Sequence, residues 1–168
     1  FVNGAAIGST DRPQNYTAYH FMFNNVACEP GTIHGVGYDE NGNELVRDSI
    51  VTVGEPHSIR ITPVTPPYDQ WKADGHDVAV FAVEVVDSEG KRCPTHQEEL
   101  QFDVSGPANW IGGINTWRQY SIRSKSLYTE CGITRVIVQS TRTAGSITVT
   151  VSRDGLGSAA ASVVSKSV

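Results

Sequence analysis

Hydrophobic and polar positions along the chain alternate with a period of two in segment after segment. Tyr19, Phe21 and Phe23 alternate with His20, Met22 and Asn24. Leu100, Phe102 and Val104 alternate with Gln101, Asp103 and Ser105, and Ile147, Val149 and Val151 with Thr148, Thr150 and Ser152. That period marks a strand with one buried face. Val78 to Val86 is a nearly unbroken apolar run rich in β-branched residues. It is long enough for one strand and too short for an independent helix. Further strands are predicted over Thr32–Tyr38, Leu45–Val53, His57–Thr62, around Trp110-Ile111, over Ile133–Val138 and over Ala159–Val164.

Turn chemistry separates these runs. Asn41-Gly42 lies at the centre of one predicted hairpin, and Asp87-Ser88-Glu89-Gly90 supplies another turn. Phe1-Val2 before Asn3-Gly4 reads as the end of a strand entering a tight hairpin. Almost no strand precedes it, so the start is expected to fall inside an element. Pro63, Pro66 and Pro67 keep their segment out of any central strand. No stretch combines helical periodicity with caps, and strands recur every 8–12 residues or so, the signature of a β-sandwich. The prediction is an all-β chain. Residues 57–168, with about seven strands, form an immunoglobulin-like β-sandwich. Residues 1–56 form part of a second β-sandwich whose N-terminal strands are missing.

Composition narrows the function. The chain has 168 residues, 18% of them charged, and a formal net charge of −5. No long basic run occurs, which argues against nucleic acid and anionic membranes as partners. No apolar run approaches the roughly 20 residues a spanning helix needs. Cys28, Cys93 and Cys131 contain no CxxC pair, so zinc has little support. At most one internal disulfide is available, with Cys93–Cys131 as the pair within one domain, and free thiols are the expectation. Asn15-Tyr16-Thr17 is an N-glycosylation acceptor triplet, meaningful only in a secreted eukaryotic chain.

Candidate chemistry is sparse. Glu98-Glu99 are adjacent near a strand, so they point to opposite faces and are poorly placed to straddle a glycosidic bond as a catalytic pair. A solvated strand edge is the expectation for them. His20, His34, His57, His76 and His96 make no metal-ligand spacing. No nucleophile elbow, phosphate loop or dinucleotide fingerprint is present, and no cofactor is expected. One segment after Gly106 has the composition of a sugar-contacting surface. Trp110, Trp117 and Tyr120 would supply ring faces there, and Asn115 and Arg118 hydrogen bonds. The packing reading is favoured over this one: Trp110 at a core position beneath a surface loop, and Trp117 docked on a neighbouring domain. Trp71, beside the prolines, is expected to pack at the domain junction.

Three stretches resemble the C-terminal immunoglobulin-like domain of glycoside hydrolase family 2 enzymes of the β-galactosidase type. They are KADGHDVAVFAVEVVDSEGKRCP (72–94), LQFDVSGPANWIGGIN (100–115) and ITRVIVQSTRTAGSITVTVSRDGLGSAA (133–160). FVNGAAIG (1–8), PGTIHGVGYDENGNEL (30–45) and TVGEP (52–56) resemble the domain before it in those enzymes. Gly112-Gly113-Ile114-Asn115 departs from the family's usual turn. The resemblance implies a retaining exo-glycosidase as the parent, acting on terminal non-reducing sugars of β-glycosides. Its catalytic glutamates lie in an upstream barrel, so no catalytic residue carries over. The implied partners are carbohydrate through the parent, and the barrel and sandwich domains upstream, with the missing strands on another polypeptide. A secreted or extracellular location is the matching expectation. An independent carbohydrate-binding module and a structural adhesion-type pair of sandwiches are the competing readings.

Overall fold

The computed structural model describes residues 1–11, 21–27, 29–64, 71–114 and 121–168. Two compact units divide the chain, Phe1–Thr52 and Val53–Val168. Among the described residues every named strand pairs antiparallel, one isolated bridge, Lys72–Lys166, is parallel, and no helix occurs.

In the first unit, β1 (Thr32–Tyr38) pairs with β2 (Glu44–Val51). Asp39 closes the turn between them: its carboxylate accepts the backbone N–H groups of Asn41 and Asn43 and the Asn43 side-chain amide. Gly42 there adopts φ of 83°, the left-handed conformation the predicted Asn-Gly centre calls for. The hairpin expected at Asn3-Gly4 also forms. Both residues have positive φ, and Val2 and Ala5 exchange backbone hydrogen bonds at 2.9 Å. This turn is pinned to β1, because the Asn3 side chain accepts the Thr32 N–H and donates to the Pro30 carbonyl. The strand expected over 19–26 does not form in its described part: Phe21–Val26 is irregular, and Phe21, Met22 and Phe23 are exposed. Alternation alone gave them no neighbouring strand to pair with.

The second unit begins four residues before the boundary expected at 57. The Asp87 carboxylate there accepts the Gly54 N–H at 2.9 Å. Eight strands follow among its described residues: β3 (Ser58–Pro63), β4 (Val78–Val86), β5 (Glu99–Ser105), β6 (Ala108–Gly113), β7 (Ser126–Tyr128), β8 (Ile133–Ser140), β9 (Gly145–Arg153) and β10 (Gly157–Ser165). They form two four-stranded sheets, β3-β4-β8-β6 and β10-β9-β5-β7. The first has the order of an immunoglobulin ABED sheet and the second that of a GFC sheet with one added strand, β7. Pro63 lies on edge strand β3, where its missing N–H costs no ladder bond.

Alternation explains the core. Ala79, Phe81, Val83 and Val85 of β4 are fully buried beside Val136 and Val138 of β8 in the same sheet, in one core cluster with Leu100 and Phe102 of β5 and Ile147, Val149 and Val151 of β9 in the other sheet. The apolar run of β4 thus buries one face, and Val78 on the other is exposed. At Gly112 the β6–β8 ladder shifts register. A Cβ on Gly112 would lie 2.0 Å from the Ser121 carbonyl oxygen, so this glycine permits a close backbone approach. Gly112 and Gly113 therefore belong to a strand, where the sequence suggested a departing turn.

Candidate functional site

The candidate sugar-contact residues fall into two groups. Asn115, Trp117, Arg118 and Tyr120 lie outside the described residues, as do the Asn15 triplet, His20 and Cys28. Trp110 is described, and it packs. From β6 its ring stacks across the sandwich on Phe102 of β5, with centroids 5.6 Å apart. Its indole N–H donates to the Ser124 carbonyl at 2.8 Å. Ser124 Oγ in turn donates to the Ser126 carbonyl at 2.7 Å. Trp110 thereby anchors the approach to β7, a three-residue strand where the sequence suggested only loop. Trp71 likewise packs against the core of the second unit itself.

Cys93 is buried and free, and Cys131 is exposed and free. Burial pushes the Cys93 thiol above its ordinary pKa, with the Asp87 and Glu55 charges adding to that. A buried, poorly ionised thiol is a packing residue. No group of three or more His, Cys, Asp or Glu side chains able to hold a metal occurs among the described residues.

Polar chemistry gathers at one end of the β10-β9-β5-β7 sheet, around residues that sequence reasoning left as a solvated edge. Arg153, the last residue of β9, meets the Glu98 carboxylate in an ion pair and donates from Nη1 to the Glu99 carbonyl at 2.6 Å. The Glu98 carboxylate also lies 4.0 Å from Nε2 of His96. His96 is buried, and its Nδ1 lies 2.7 Å from Thr129 Oγ1. The Thr129 hydroxyl donates to the His96 carbonyl at 3.0 Å, which leaves Nδ1 as the donor of that pair. Nε2 is buried without a hydrogen-bond partner among the described residues. Burial, reinforced by the Arg153 charge, lowers the His96 pKa below the usual histidine value. This network joins the segment before β5, the residue that follows β7 and the end of β9.

Beside it opens a groove of about 530 Å³, lined by Glu99, Gln101, Ser152, Arg153, Asp154, Gly157 and Ser158. Register explains the lining. Gln101 pairs with Ser152, and Ser152 with Ser158, so three adjacent strands present a polar row on the outer face. Gln101 lies 51 positions before Ser152, and no shared local motif links it to Ser152 and Ser158. Only the strand order brings them together.

Residues 63–162 match the glycoside hydrolase family 2 C-terminal domain 5, and residues 1–46 match a domain of unknown function, DUF4982. A β-glucuronidase of Formosa agariphila is 38% identical over 155 residues, covering 92% of this chain and 15% of that enzyme. A β-galactosidase of Bacteroides ovatus is 29% identical over 164 residues, covering 93% of this chain and 18% of that enzyme. The solved structure of a family 2 β-glucuronidase superposes with a TM-score of 0.87 at 36% identity, over 100% of this chain and 17% of that one. The chain thus spans less than a fifth of the length of each of these relatives.

Proposed function

The chain belongs to the glycoside hydrolase family 2 C-terminal domain 5 family, and from that membership we propose that it is a non-catalytic accessory region of a retaining exo-glycosidase. One observation carries this reading. A single stretch covering 92% of the chain aligns with a β-glucuronidase in which it accounts for only 15% of the length. The chemistry of such an enzyme needs two carboxylates held on either side of one glycosidic bond. Glu98 and Glu99 are sequence neighbours at the start of β5, and Glu98 is already engaged by Arg153. The residues of the core cluster serve packing, which suits a region that shapes and supports a larger enzyme.

The parent's substrate is a terminal β-linked sugar. Identity favours a β-glucuronide, since the relative at 38% is named for that activity and the β-galactosidase stands at 29%. A β-galactoside is the second reading, supported by a match that covers as much of this chain. The test is to purify the full-length polypeptide carrying this chain and assay it with 4-nitrophenyl β-D-glucuronide and β-D-galactoside. Release from the glucuronide with retention of anomeric configuration is expected, and none from the 168-residue chain alone. Preference for the galactoside would overturn the sugar assignment. Turnover of neither glycoside, or turnover by the isolated chain, would overturn the accessory reading.

A further inference from the structure

The groove on the outer face of the β10-β9-β5-β7 sheet belongs to no catalytic machinery described above, and its lining has a definite chemistry. We propose that it is a non-catalytic binding site for a neutral, hydroxyl-rich glycan chain.

Six of its seven lining residues carry hydrogen-bonding side chains, Gly157 being the exception, and their carbon atoms leave part of the wall apolar. Among the described residues, the carboxylates of Glu99 and Asp154 and the hydroxyls of Ser152 and Ser158 have no side-chain partner, so these groups are open to a ligand. Unengaged carboxylates are strong acceptors for sugar hydroxyls, because hydrogen bonds to an ionised group are roughly twice as strong as neutral ones. Donors are present too, and they are held in place. Arg153 is fixed from two sides by the Glu98 carboxylate and the Glu99 carbonyl. Gln101 donates one amide hydrogen to Ser126 Oγ at 2.9 Å, which orients its amide within the polar row. Tyr128 stands directly across the β5–β7 ladder from Glu99. Opposed residues of an antiparallel pair share a face of the sheet, so Tyr128 lies on the side that Glu99 faces, beyond the groove's lining.

Charge selects among glycans. The groove holds Glu99 and Asp154 against a single cation, Arg153, whose charge Glu98 already matches. A uronate, sulfate or phosphate would enter a field of its own sign. The chain's formal charge of −5 reinforces that exclusion. A volume near 530 Å³ falls within the roughly 300–1,000 Å³ of small-ligand sites, and the open mouth suits a polymer passing through. Most of the lining sits on strands, which hold binding groups more rigidly than loops do. The occupant would be a glycan held near the parent enzyme while its terminal sugar is cleaved elsewhere.

The proposal rests on the glycoside hydrolase reading only for the expectation that glycan is at hand. Its test uses the 168-residue chain, so failure here leaves the parent's activity untouched. The chain is run through native gels containing β-1,4-galactan, xylan or laminarin, with polygalacturonate as the charged counterpart. Retardation by at least one neutral polymer is expected, with little by polygalacturonate. Glu99→Gln with Asp154→Asn should weaken binding by about tenfold or more, the value of one or two hydrogen bonds to charged groups. Ser158→Trp, which fills the groove from an exposed position, should abolish it without lowering the melting temperature. Migration unchanged by every neutral polymer, equal retardation by polygalacturonate, or binding that survives Ser158→Trp in folded protein would each overturn the proposal.

Discussion

The two units of this chain use the same local grammar and reach opposite outcomes. Both are built from antiparallel strands and tight Asn-Gly or Asp-led turns. In Val53–Val168 the alternating residues close on one another, and Phe81, Val83, Val136 and Val149 are fully buried. In Phe1–Thr52 no described residue is buried, and Leu45 and Ile50 of β2 are 70% and 71% exposed. The difference lies in partnership. A sandwich supplies each apolar face with a second sheet, whereas a two-stranded hairpin has no such face to offer and is marginal on its own. Turn hydrogen bonds from Asp39 and Asn3 give the first unit its local shape, but they bury little apolar area, and buried area is the dominant favourable term in folding.

The sharpest way to break this comparison is to separate the units. Residues 53–168 expressed alone should keep one cooperative thermal transition, because every member of the core cluster lies within them. Residues 1–52 alone should show no cooperative transition. Circular dichroism melts of both pieces check this, and a cooperative melt from 1–52 would show a core that its exposure pattern denies.

Point substitutions sharpen the same contrast. Phe81→Ala should destabilise the second unit by about 3–5 kcal/mol, the range for a large aromatic removed from a close-packed core. Ile50→Ala in β2 should change stability by no more than about 0.5 kcal/mol, as surface changes do. Urea titration of the whole chain measures both. Similar costs at the two sites would mean that β2 is packed against something.

How much was legible in the sequence follows from the same physics. Val78–Val86 was readable end to end as β4, since a nine-residue apolar run with turn residues after it admits little else. The hairpins at Asn3-Gly4 and Asn41-Gly42 were readable because Gly after Asn supplies the positive φ a tight turn needs, taken by both residues in the first and by Gly42 in the second. Phe21 and Phe23 misled, because alternation reports a capacity to pair and cannot report whether a neighbour exists. β7 was invisible: three residues are too few to show a period. Trp110 was legible as a notable aromatic but not as an anchor, since its partners Phe102 and Ser124 come from other elements. The groove had no sequence signal at all, because Gln101, Ser152 and Ser158 meet only through the strand order.

The smallest effect expected is a titration that distinguishes the units by pH. His96 in the second unit is buried, with Glu98 and Arg153 as the charged groups beside it and Thr129 on its other nitrogen. Its pKa is lowered in the folded protein, so the unfolded chain takes up a proton first as the pH falls. The stability it contributes is complete above the ordinary histidine pKa near 6.5 and is lost as the pH falls through the lower folded value. Asp39 in the first unit is also lowered, chiefly by the Asn43 side-chain and backbone hydrogen bonds. Its contribution is complete above the ordinary carboxylate range and is lost only as the pH falls below that. Acidification from pH 8 to about 5.5 should therefore weaken the sandwich while leaving the β1–β2 turn intact. Melting temperatures of the wild type and His96→Gln across that window check the sandwich. The difference between them should shrink steadily toward low pH, because the substitution removes the group that titrates. A difference that stays constant from pH 8 to 5.5 would mean that His96 is protonated alike in both states, and that burial has not set its charge.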